Sequence, residues 1–170
     1  INEFLAAPAS GQTEWVELYN AGTTAADLEG WVVEEGAGSR RTLHGWLPAG
    51  GYAVISPAGS LNNGGDLVLL LDAERTVVDQ AAYGDWDDGN RGDNAPAPPV
   101  GTTLARQATS GFTITSTPTP GATNRFTAAP TPTATPAPRV SPKRSAAPKT
   151  QPTPTATTAH PAITRTIRPV

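Results

Sequence analysis

The stretch Glu14-Trp15-Val16-Glu17-Leu18-Tyr19-Asn20-Ala21-Gly22 decides the fold. In an extended chain successive side chains point to opposite faces. Val16 and Leu18 then share one face with Glu14, while Trp15, Glu17 and Tyr19 share the other. Both faces carry apolar groups, so this reads as a strand inside a sheet, with Glu17 in need of hydrogen-bond donors. Asn20-Ala21-Gly22 ends it as a turn, because Asn bonds to its own backbone and Gly accepts any φ.

The same texture recurs outward from that stretch. Further candidate strands cover residues 1–5, 28–33, 41–46, 51–56, 66–71, 77–83, 103–106 and 112–115. Between them stand Pro48-Ala49-Gly50-Gly51, Pro57-Ala58-Gly59 and Asn62-Asn63-Gly64-Gly65, all turn chemistry. No window of about ten residues keeps a 3.6-residue apolar period; 72–82 comes nearest and is too rich in Val and Thr. Eight to nine short strands with turns between them predict an all-β sandwich or barrel over residues 1–124.

The remainder is different. Residues 125–170 hold ten prolines, eleven threonines and no leucine. Such a segment buries too little apolar surface to offset its ordering entropy, and it reads as a disordered Pro/Thr-rich linker or stalk. Its Thr/Pro runs also suit O-glycosylation. Charge divides at the same point: residues 1–124 carry fifteen acids and five bases, net −10, and residues 125–170 carry seven bases and no acid. The basic tail is a candidate contact for nucleic acid, an anionic polymer or the acidic module itself, although its charges are spread out without aromatic interleaving. The chain has no cysteine, which excludes disulfides and thiolate metal sites. It has no apolar run of about 18 residues, so no membrane-spanning segment is expected. It opens at Ile1 inside a strand-like pattern and reads as a fragment.

An ordered set of signals resembles the lamin tail domain family as found in bacterial exported proteins. The set is Ile1-Asn2-Glu3, the Glu14–Asn20 strand and turn, Asp27-Leu28-Glu29-Gly30-Trp31, Leu47-Pro48-Ala49-Gly50-Gly51-Tyr52, Leu61-Asn62-Asn63-Gly64-Gly65-Asp66, Val78-Asp79 through Tyr83-Gly84, and Thr119-Pro120-Gly121-Ala122-Thr123-Asn124. The resemblance implies an immunoglobulin-like β-sandwich, an extracellular or cell-surface location and a non-catalytic structural or binding role, with an unknown protein or polysaccharide ligand. It also leaves open an accessory, substrate-engaging domain of a larger secreted hydrolase or nuclease.

The matching residues have physical readings of their own. Glu17, Asn20, Trp31, Asn62, Asn63, Asp66 and Asn124 are expected to serve architecture: Glu17 as an acceptor for buried N–H groups, the asparagines as turn residues, Trp31 as packing. Trp15 and Trp46 are read with Trp31 as core, the alternative being an exposed aromatic strip for sugar or peptide. The loop Asp85-Trp86-Asp87-Asp88-Gly89-Asn90-Arg91-Gly92-Asp93-Asn94 is either a solvated acidic turn or a Ca²⁺ site built on Asp85, Asp87, Asp88 and Asp93; it lacks the EF-hand spacing. Arg91-Gly92-Asp93 spells an adhesion tripeptide that short sequences often match by chance.

Signals for catalysis are sparse. His44 stands without a nucleophile motif, no His or Cys cluster offers a zinc site, and Gly36-Ala37-Gly38 lacks the lysine and helix of a phosphate loop. Glu14 and Glu17 could act as a carboxylate pair only within a cleft, and adjacent residues such as Glu34/Glu35 or Asp87/Asp88 point to opposite faces on a strand.

Overall fold

The alternating apolar pattern folds into eleven short strands: β1 (Glu3–Leu5), β2 (Trp15–Tyr19), β3 (Ala26–Asp27), β4 (Val32–Glu35), β5 (Arg40–Thr42), β6 (Trp46–Leu47), β7 (Tyr52–Ile55), β8 (Gly65–Leu71), β9 (Val77–Gly84), β10 (Thr103–Gln107) and β11 (Gly111–Thr115). The computed structural model describes residues 1–57, 59–108 and 111–126, and the expected disordered tail lies outside those residues from 127 onward. Among the described residues there is no α-helix, only one 3-10 turn at Arg91–Asp93.

Two antiparallel sheets form the layers of an immunoglobulin-like sandwich. One has the order β11-β10-β1-β2-β7, the other β5-β4-β8-β9, and β3 with β6 makes a separate two-stranded ribbon. As its pattern requires, β2 is an inner strand between β1 and β7. Val16 and Leu18 face the core with Phe4 and Leu104, and Val33, Val68, Leu70 and Tyr83 meet them from the other sheet. Phe4 and Tyr83 join the layers at 5.3 Å between ring centroids. Burying each such side chain contributes about 1.5–3 kcal/mol, so these few contacts anchor the layers.

One expected strand, 28–33, is cut back to its end by a glycine turn, and another, 41–46, is divided by one. In the 28–33 stretch Trp31 N donates to the Leu28 carbonyl at 3.0 Å, and Gly30 takes φ 76°, which only glycine adopts without strain. In the 41–46 stretch Gly45 takes φ 84° and separates β5 from β6. These two turns swing β3 and β6 out of the main sheets and create the ribbon.

β8 is the longest inner strand; Asp66, Val68 and Leu70 are buried on one face, and Leu67 and Leu69 on the other are half-buried. It pairs with β4 on one side and β9 on the other, with a bulge between Leu70 and Leu71.

Candidate functional site

The polar residues of the ordered motif set are nearly all engaged in holding backbone. Glu17 is fully buried on the outer face of the first sheet. It accepts from Asn2 Nδ2 at 2.7 Å and from the backbone N–H of Gly121. Directly across the ladder stands a second buried carboxylate, Glu3. Glu3 accepts from the Thr103 hydroxyl, from Thr119 N at 3.0 Å and from Thr119 Oγ1 at 2.7 Å. Residues 117–124 thus cross the outer face of the sheet as a strap that supplies donors to both acids. Asn124 fastens its end: the amide donates to the Asn2 carbonyl at 3.1 Å and the Arg106 carbonyl at 3.1 Å, and its oxygen accepts from Asn2 Nδ2 at 2.9 Å. Burial pushes the Glu17 carboxyl above its ordinary pKa; the bonds from Asn2 and Gly121 work against that, and the charge of Glu3 adds to it.

A second set of acids pins the far end. Asp66 is fully buried and receives four bonds, from Gly36 N at 3.0 Å, Leu67 N at 2.8 Å, Asn62 N at 2.9 Å and Asn62 Nδ2 at 3.0 Å. Asn62 in turn accepts from the Tyr83 hydroxyl at 2.8 Å through its carbonyl. Asn63 sits exposed at the tip of that turn. Glu35 receives Ala37 N at 2.7 Å and Ser39 N at 2.8 Å; burial opposes its charge, but these donors outweigh it and hold its pKa below the usual range. Glu14 accepts from Leu61 N at 2.9 Å, and burial raises its pKa.

Asn20 uses all its amide atoms as well, donating to the Thr24 and Leu47 carbonyls at 2.8 and 2.9 Å and accepting from Gly22 N at 2.9 Å. It therefore ties the β2 turn to the ribbon.

The acidic loop turns its carboxylates on itself. Asp87 accepts from Gly89 N at 3.1 Å and pairs with Arg91 at 3.1 Å; Asp88 accepts from Asn90 N at 3.0 Å, and Asp93 from Asn90 Nδ2 at 2.9 Å. Asp85 is exposed nearby, its N–H bonded to the Gly64 carbonyl at 3.0 Å. Among the described residues no three His, Cys, Asp or Glu side chains gather as a metal-binding group, so Asp85, Asp87, Asp88 and Asp93 are not brought together.

The tryptophans part company. Trp15 and Trp31 are half-buried, and Trp31 packs on the core. Trp46 does not: it is 69% exposed. On a two-residue strand the pattern gives no second apolar residue to mark the inner face, and Leu47 takes that place at 5% exposure. The ribbon's inner face, with Leu28 and Leu47, lines an open cleft of about 270 Å³ shared with Leu18, Tyr19, Trp31 and Val78. Tyr19 also stacks on Tyr52 at 4.8 Å. The outer face carries Trp46 opposite Asp27, and an exposed His44–Glu29 pair at 2.9 Å. His44 is absent from the cleft lining. Glu14 and Glu17 both lie beside other acids, but each carboxylate faces backbone donors.

With that geometry in hand, comparison with known families is decisive for kinship. The model of the Lamin Tail Domain matches residues 1–85, half of the chain. The chain belongs to the lamin tail domain family. No curated protein and no solved structure matches it. The family match ends one residue after β9, whereas the lamin tail sandwich of this chain continues: β10 lies between β1 and β11, and the strap that covers Glu3 and Glu17 follows. Glu3 was not singled out by its pattern, since one acid in Ile1-Asn2-Glu3-Phe4-Leu5 looks like an ordinary exposed residue. Its signal is the register that sets it opposite Glu17, which a single strand does not display.

Proposed function

We propose that this lamin tail domain is a non-catalytic binding module of an exported or cell-surface protein, and that it meets its partner at the β3–β6 ribbon and the cleft beneath it. The observation that carries this reading is a division of labour. The motif acids and amides are engaged with backbone, at Glu17, Asn20, Asp66 and Asn124. The ribbon instead presents an exposed indole, and the neighbouring cleft presents apolar walls. Aromatic side chains at an open surface favour binding because they offer large contact area at low entropic cost.

A ligand-independent experiment tests it. The full chain carrying Trp46→p-benzoylphenylalanine is irradiated with intact cells of its source or their surface fraction, beside a chain with the same replacement at Asp88. Adducts specific to position 46 are the expected result. Equal labelling at both positions, or none, overturns the ribbon as the contact. Recovery of the native protein in the cytosol alone overturns the exported location.

A further inference from the structure

We propose that the outer face of the β3–β6 ribbon binds a cationic peptide segment, seating an arginine or lysine side chain on the Trp46 indole with Asp27 and Glu29 as counter-charges. The proposal rests on the binding-module reading above and adds the class of partner.

Three observations favour a cation. First, Trp46 offers an indole that is 69% exposed, and the face of an indole attracts cations more strongly than any other side chain's ring. Second, its direct cross-strand partner is Asp27, whose Cβ lies about 4.5–5.5 Å away in such a pair. Asp27 is held in place by Glu29 N, which donates to Oδ1 at 3.0 Å, and Glu29 is exposed beside it and pairs with His44. Among the described residues, the arginines that form ion pairs join other acids, Glu34, Asp87 and Asp79, and none pairs with a ribbon carboxylate. Third, residues 1–124 carry net −10, a field that draws cations toward the module and repels anionic polymers.

The fold already holds one guanidinium by this chemistry. Arg106 lies 4.4 Å from the Phe112 ring centroid while its Nη2 reaches both Asp79 oxygens at 2.7 and 2.6 Å. An aromatic face plus a carboxylate is the same pair of groups that the ribbon exposes. A neutral sugar would also stack on the indole, but it would leave the two charges on the ribbon uncompensated, so the cationic peptide is the better complement.

The test uses the full chain and fluorescein-labelled hexa-arginine, read by anisotropy at low and at physiological salt. Saturable binding is expected, weakening as salt rises. Trp46→Ala should weaken it about tenfold, as should the double change Asp27→Asn with Glu29→Gln, while Asp88→Asn on the distant acidic loop leaves it unchanged. Trp46 is exposed, so Trp46→Ala should keep the native melting temperature, and a folded variant is thereby assured. Binding unchanged by Trp46→Ala, with a loss for Asp88→Asn in proportion to that for Asp27→Asn with Glu29→Gln, would mean bulk charge alone and overturn the site. Absence of saturable binding overturns it too, as does Trp46-dependent binding of cellohexaose without binding of hexa-arginine. If position 46 crosslinks to a partner while hexa-arginine does not bind, the binding-module reading stands and the cationic partner falls.

Discussion

Removing the Glu17 carboxylate should loosen the strap, and the cost can be worked from its bonds. In Glu17→Ala two donors lose their acceptor, Asn2 Nδ2 and Gly121 N. The Asn2 amide keeps its second bond, to Asn124 Oδ1 at 2.9 Å. The Gly121 N–H has no second protein acceptor among the described residues, but Gly121 is exposed and water can partly replace the carboxylate, so its loss lies toward the lower end of the about 1–3 kcal/mol of an orphaned buried donor. The lost methylenes add a cavity term, and relief of the repulsion with Glu3 and of carboxylate desolvation subtracts from it. The net loss is about 2 kcal/mol, or roughly 5–10 °C in melting temperature for a domain of this size. Glu17→Gln keeps one acceptor oxygen and should lose about half as much. Thermal unfolding of the two variants followed by circular dichroism checks both values. A melting temperature for Glu17→Ala within about 2 °C of the parent would refute the strap as a stabilising element.

Further outcomes are expected from the same structure. Glu17 and Glu14 have folded pKa values above their unfolded ones, so they favour the fold below the unfolded pKa and that contribution is lost as pH rises through the folded values. Stability should therefore climb as pH falls from neutral into the carboxylate range, and Glu17→Gln should flatten the climb in melting curves taken across it. Glu35 has the opposite sign, so its contribution is present above its unfolded pKa and fades as pH falls through the folded value; Glu35→Gln should lower stability near neutral pH and make the acid limb of the same profile shallower. Asp66→Ala removes the acceptor of four donors and should cost more than about 3 kcal/mol, with urea unfolding as the measure. Millimolar Ca²⁺ should leave the melting temperature unmoved, because Asp87 and Asp88 are turned to the loop backbone and the four acids do not gather among the described residues; a rise lost on changing Asp85, Asp87, Asp88 and Asp93 to Asn would instead establish a metal site.

Much of this fold is legible in the sequence because period-two patterning is local. Glu14 to Tyr19 announces an inner strand with a buried acid, and β2 is one. What is hidden depends on distant register. The donor to Glu17 comes from Gly121, 104 residues away, and the second acid opposite it comes from β1. The shortened strand and the divided one follow from Gly30 and Gly45, whose positive φ a strand pattern overrides on paper but not in space. The same glycines explain why Trp46 is misjudged: they move β6 from a sheet to the ribbon, and its indole from core to surface. Asp66 is legible as a turn residue, yet its four bonds arise from the meeting of two loops and β8.

Residues 1–85 carry the family pattern, but they do not contain the means to close the fold. Without β10 the backbone of β1 would be left as a bare edge on one side, in the strand that holds Phe4 at the centre of the core. Without the strap, Glu3 and Glu17 would still stand side by side but would lose the donors of Thr119 and Gly121, with Asn2 as the remaining side-chain donor to Glu17 and Thr103 gone along with β10. The strap therefore both covers this pair of like charges and supplies the donors that make covering them tolerable. Asn124 completes that closure, its amide tying strap, β1 and β10 together through the Asn2 and Arg106 carbonyls. Because that closure takes place on the outer face of the first sheet, it leaves the β3–β6 ribbon uncovered among the described residues, and Trp46 stays open to solvent for a partner to reach.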